Sequence, residues 1–121
     1  MKKDNYVSIE ILEQIKKFYD SQEGRKYPCS NQVVVCGIIT EDRNTAIGFM
    51  KNKNVVKKLE RKDEIIWELD NGERWKWKRW NENCRGQGFY KIAIDRLTDK
   101  ELLEYIILPS CANYCCSVEI I

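Results

Sequence analysis

The chain has 121 residues, 43% of them apolar and 33% charged, and its 21 lysines and arginines nearly cancel its 19 carboxylates to leave a net charge of +2. That length accommodates a single domain, 1–121, with a modest core. The near-balance of charge excludes a global field strong enough to draw the whole molecule onto nucleic acid or membrane. There is no histidine, which removes the usual general base and the Ser-His and Cys-His nucleophile pairs.

The first ten residues, MKKDNYVSIE, contain no apolar segment of the signal-peptide kind. No run is long enough to cross a bilayer, so the expectation is a cytoplasmic, non-membrane protein. Its six cysteines (Cys29, Cys36, Cys84, Cys111, Cys115 and Cys116) are then expected as reduced thiols. Zinc is the alternative. However, C-x3-C-C plus three scattered cysteines does not make two CxxC knuckles, and no histidine completes a set. No metal and no cofactor is assigned.

In chain order, residues 8–19 read as an amphipathic helix. Ser8 is its cap, and Ile9, Leu12, Ile15, Phe18 and Tyr19 recur at helical spacing. SQEGRKYP ends it. The run Val33–Ile39 is apolar on both faces, as a covered central strand requires. EDRNTAIGFMKNK reads as a short helix and Val55–Leu59 as a short strand. A hairpin follows around Asp70-Asn71-Gly72. With a three-residue loop, Trp67 pairs with Trp75 and Ile65 with Trp77, while Glu68 faces Arg74 and Glu64 faces Lys78. One face is then aromatic and buried and the other carries opposed charges. Gly72 takes the left-handed position of the turn.

NENCRGQG, residues 81–88, is a polar glycine-bearing loop, and FYKIAID, 89–95, is a strand. Thr98 and Glu101 form a capping box for the helix DKELLEYIIL, which Pro109 ends. The tail ends in a short apolar stretch read as an edge strand. The predicted class is α+β, or mixed α/β. About five strands form a largely antiparallel sheet with a central hairpin, packed by N-terminal and C-terminal helices.

The candidate site is the cationic end of the hairpin. Arg74, Lys76, Lys78, Arg79, Arg85 and Lys91 are opposed within 74–91 only by Glu82. With Trp67, Trp75 and Trp77 assigned to the core, Trp80 is the expected exposed ring. Arg74, Arg79 and Arg85 would neutralise phosphate, Trp80 would stack on a base, Asn81 and Asn83 would hydrogen-bond, and Gly86 would let backbone N–H groups approach. The plainer alternative is a solvated hairpin face paired with Glu64 and Glu68.

The segment IIWELDNGERWKWKRWNENCRGQGFYKIAID resembles the part of phage terminase-like ATPases in which an NG-turn hairpin leads through an arginine-glycine pair into the acidic strand. The matching residues are Asn71-Gly72, Arg85-Gly86 and Ile92-Ala93-Ile94-Asp95. VVVCGIITEDRNTAIG stands where the phosphate loop belongs and lacks its Gly-Lys-Ser/Thr. Arg96 stands where the family needs a glutamate. The resemblance implies phosphate-binding ancestry with hydrolysis lost.

In size and in its arginine-plus-aromatic chemistry, the chain is also similar to phage and prophage anti-defence proteins of the anti-Thoeris, signal-sequestering type. No diagnostic motif is matched residue by residue. This similarity implies a non-enzymatic protein that sequesters a phosphorylated, cyclic nucleotide-type immune signal. A shallow site on one small domain leaves much of a ligand exposed, so a homo-oligomer that closes the site is expected. The alternatives are a protein-binding inhibitor of a bacterial defence nuclease, of anti-CRISPR type, and a small nucleic-acid-binding module.

Overall fold

A computed structural model describes residues 6–20, 34–80, 89–102 and 117–121. Within them the order is α1 (Ile9–Asp20), β1 (Val34–Ile39), α2 (Arg43–Met50), β2 (Val55–Glu60), β3 (Glu64–Leu69), β4 (Glu73–Lys78), β5 (Lys91–Ile94), α3 (Lys100–Leu102) and β6 (Ser117–Ile120). The class is α+β, as expected. The sheet has six strands rather than about five, in the order β2-β3-β4-β1-β5-β6. The expected antiparallel pairing is confined to β2–β3–β4. β1 pairs in parallel with both β4 and β5, and β6 extends the parallel half.

Local chemistry fixes the ends of the elements. Ser8 starts α1, its Oγ accepting from the Ile11 N–H at 3.3 Å. Asp42 caps α2, accepting from the Asn44 N–H at 3.0 Å and the Thr45 hydroxyl at 2.9 Å. The hairpin has the predicted register, with Glu64 opposite Lys78, Ile65 opposite Trp77, Trp67 opposite Trp75 and Glu68 opposite Arg74. Gly72 sits in the turn at φ +89°, a region that side chains avoid. At α3 the predicted capping box is replaced. Asp99 accepts from the Glu101 N–H at 2.7 Å, while the Thr98 hydroxyl turns back to the Asp95 carbonyl. The predicted continuation of that helix, and all cysteines but Cys36, lie outside the described residues. Cys36 is fully buried. No helix among the described residues is long and apolar enough to cross a membrane.

Strand alternation divides the core in two. Cys36, Ile38, Ile65, Trp67, Trp75, Trp77 and Ala93 lie on one face under Ala46 and Met50 of α2. Ile39, Ile92, Ile94 and Val118 lie on the other with Leu12 of α1. Burying both faces of β1 explains why its sequence is apolar without alternation.

Trp80 corrects the sequence expectation. It is only 8% exposed, its ring meets Phe89 edge-to-face at 5.8 Å, and its indole N–H donates to the Ile38 carbonyl at 2.7 Å. The reason lies in the ladder. The Tyr90 and Asp95 N–H groups donate to the Val35 and Ile39 carbonyls, so odd residues of β1 face β5 and even residues face β4. Pairing with β4 stops at Gly37–Lys76, which leaves the Ile38 and Thr40 carbonyls without a backbone partner on that side. A buried carbonyl needs a donor. Trp80 supplies one and Trp77 the other, at 3.0 Å from the Thr40 oxygen. The two indoles thus extend the ladder past the end of the strand.

Candidate functional site

The cationic face predicted on the hairpin is formed and largely neutralised by its own chain. Arg74 contacts Glu68 at 2.7 Å, Lys78 approaches Glu64 at 3.8 Å, and Arg79, beyond the strand, contacts Asp63 at 2.5 Å. Lys76 lies between them opposite Ile66, with no carboxylate partner among the described residues. Burial pushes its pKa down, Lys78 and Arg74 push it further, and Glu64 opposes them. Of the proposed ligand-binding residues, Arg74 and Arg79 are therefore paired and Trp80 is in the core. Asn81, Asn83, Arg85 and Gly86 lie outside the described residues.

Among the described residues, two cavities differ in charge. One, of about 330 Å³, opens at the carboxyl ends of β1 and β5 and is lined by Tyr6, Glu41, Asp42, Asp95 and Leu97. The chain leaves β1 toward β4 and leaves β5 toward β6, so this is a topological switch point, where open α/β sheets commonly bind ligands. Two of its three carboxylates, however, are committed to structure. Asp42 caps α2. Asp95 accepts from the Thr40 hydroxyl at 2.5 Å and the Leu97 N–H at 3.0 Å. A phosphate meets carboxylates there and no lining cation. No group of three potential metal ligands converges among the described residues.

The other cavity, of about 310 Å³, lies where α2 turns into β2. Ile47, Met50, Val55 and Trp67 line it with apolar surface, and Lys51, Lys53 and Lys58 add three cations. The Lys53 ammonium lies 4.8 Å from the Phe49 ring centre and 5.0 Å from that of Trp75, and those two rings meet edge-to-face at 5.2 Å. Ring faces hold a cation without neutralising it. Lys58 contacts Glu60 at 2.7 Å, whereas Lys51 and Lys53 have no carboxylate partner among the described residues. Apolar lining with a few polar groups is the usual make-up of a small-molecule site, and the volume is at the lower end for one.

This cavity is not among the sequence expectations, which centre on the hairpin. Its signal was countable. Residues 51–62 carry Lys51, Lys53, Lys57, Lys58, Arg61 and Lys62 against Glu60 alone. That excess is more concentrated than the one on the hairpin. Comparison with protein-family models, with curated proteins and with solved structures gives no match, so the functional assignment rests on the geometry of the site itself.

Proposed function

We propose that the protein is a non-enzymatic binding protein of the phage anti-defence kind, acting in the cytoplasm, that captures a phosphorylated nucleotide-type signal in the lysine-lined cavity between α2 and β2. The observation that carries this is the cavity itself, where two lysines without carboxylate partners among the described residues border apolar side chains. The hairpin arginines, by contrast, are already paired. Phosphate oxygens take the ammonium groups, and the ligand's ring lies against Met50, Ile47 and the edge of Trp67. The cavity is open to one side, so a homo-oligomer that covers the ligand belongs to the same proposal.

Titration calorimetry with cyclic ADP-ribose isomers and cyclic oligonucleotides tests it. One of them should give heat, and Lys51→Ala and Lys53→Met should each weaken binding about tenfold or more, the scale of a lost hydrogen bond to a charged group. No heat from any of them with folded protein ends the proposal.

A second reading, a protein-binding inhibitor of a bacterial defence enzyme, is favoured by a separate observation. β2 is an edge strand exposed along nearly its whole length, and an open edge pairs readily with another chain.

A further inference from the structure

We propose that the free edge of β2 is a docking site for an extended acidic segment of a partner protein, which joins the sheet as a seventh strand. This deepens the protein-binding reading and does not depend on nucleotide capture.

The backbone supplies the ladder. The Arg61 N–H donates to the Glu64 carbonyl at 2.8 Å, and an antiparallel pair alternates its bonded residues. Lys57, Leu59 and Arg61 therefore turn their backbone groups toward β3, and Lys58 and Glu60 turn theirs outward. A register shift between Val55 and Lys57 marks Val56 as the extra residue of a bulge. The described fold places no strand beyond β2.

Side chains define the occupant. Val56 is 68% exposed and Leu59 43% exposed, so apolar side chains of an incoming strand have surface to cover. Lys57 and Lys62 have no carboxylate partner among the described residues, and Arg61 reaches Glu64 only at 3.9 Å. Glu60, the acid of the strand, is taken by Arg43 at 2.6 Å and Lys58 at 2.7 Å. Those two cations hold its carboxyl below the usual carboxylate range. What remains along the edge is positive. A second copy of this chain would bring the same cationic excess to the pairing, and like charges on facing strands repel. A single-stranded nucleic acid matches the charge but offers no regular donor–acceptor ladder for Lys58 and Glu60. An extended segment that mixes acidic with apolar residues satisfies all three features. This is recognition by strand addition, in which backbone bonds give affinity and side chains give selectivity.

The test uses the full chain and a short N-acetylated peptide alternating glutamate and valine over the length of β2. A lysine-for-glutamate peptide and a single-stranded oligothymidylate are the comparisons. Fluorescence polarisation reads binding, and amide hydrogen exchange locates it. At saturation the glutamate peptide should slow exchange at the Lys58 and Glu60 amides. It should also bind about tenfold or more tightly than the lysine peptide, and Lys57→Glu with Lys62→Glu should remove that preference. Unchanged exchange at Lys58 and Glu60 overturns the proposal, as does equal binding of the two peptides. Preferential, steeply salt-dependent binding of oligothymidylate overturns it in favour of nucleic acid. Slowing of the same amides by raised protein concentration alone overturns it in favour of self-pairing. Lys57 and Lys62 do not line the lysine cavity, so nucleotide calorimetry on the same double variant reports the small-molecule site separately.

Discussion

Replacing Gly37 with alanine probes the packing around Phe89 and Trp80. Gly37 lies in the middle of β1, and a methyl group there would meet Cε1, Cζ and Cε2 of Phe89 at 3.0, 3.0 and 3.1 Å. Comfortable carbon contacts are about 3.5–4.0 Å, so the ring must retreat by several tenths of an ångström. It has little room, because Phe89 is fully buried and Trp80 stands edge-on against it, held by the Ile38 carbonyl. Glycine-to-alanine changes gain about 0.4–1 kcal/mol from the unfolded chain, while overpacking a tight core costs about 1–3 kcal/mol. At the middle of both ranges the net is a loss of about 1 kcal/mol. Urea unfolding followed by tryptophan fluorescence measures it. Phe89→Leu is destabilising alone but should cost less in the Gly37→Ala background, with a coupling of about 1 kcal/mol. A neutral or stabilising Gly37→Ala, or strictly additive effects, would refute the idea that Phe89 occupies the space glycine leaves.

Trp80→Ala should destabilise by about 3–5 kcal/mol, comparable to Trp75→Ala, since both remove a buried ring. A Trp80→Ala protein with unchanged urea midpoint would return that ring to the surface. At Glu73, burial raises the carboxyl pKa, but bonds from Lys91, Trp75 and Asn71 outweigh it and leave the pKa below its ordinary value. The stability it contributes is therefore present above the unfolded-state pKa and is lost as pH falls through the lower folded value. Glu73→Gln should cost about 1–3 kcal/mol at neutral pH and flatten the acid limb of the stability profile, as read by thermal melts across pH. An unaltered acid limb would mean another group sets it. Lys57→Val with Lys58→Val removes the charges that guard the β2 edge, so concentration-dependent association should appear in sedimentation velocity and be absent in the parent.

The hairpin register could be read from the chain because two independent patterns agreed on it. Only one alignment puts Trp67 on Trp75 and Glu68 on Arg74 at once. The position of Trp80 could not be read that way. Alternation ends at Lys78, and what decides the next indole is an unfilled carbonyl on Ile38, forty-two residues earlier in sequence. That carbonyl is unfilled only because β1 runs on past its pairing with β4, and parallel neighbours leave no local mark in a sequence. The apolar run of β1 announced a covered strand without naming its partners. The lysines of 51–62 were legible as charge but not as a cavity, since Met50 and Trp67 meet there only through the fold.

The cations around that cavity also have structural uses. Glu41 and Asp42 stand at the N-terminal end of α2 and Lys51 and Lys53 just beyond its C-terminal end. That polarity suits the helix dipole and is worth about 0.3–1 kcal/mol per charge. Lys57 and Lys58 guard an edge strand. Neither use accounts for a segment of twelve residues with six cations and one acid, when that acid is already bound by one of them, Lys58, and by Arg43 of α2. Helix capping is complete with a single lysine, and edge protection works as well with charges of mixed sign. The surplus raises the molecule's own repulsion until something negative arrives. An anionic ligand in the cavity or an acidic strand on the edge relieves it, and either should raise the melting temperature more at low than at high ionic strength, because salt screens the same repulsion in the free protein.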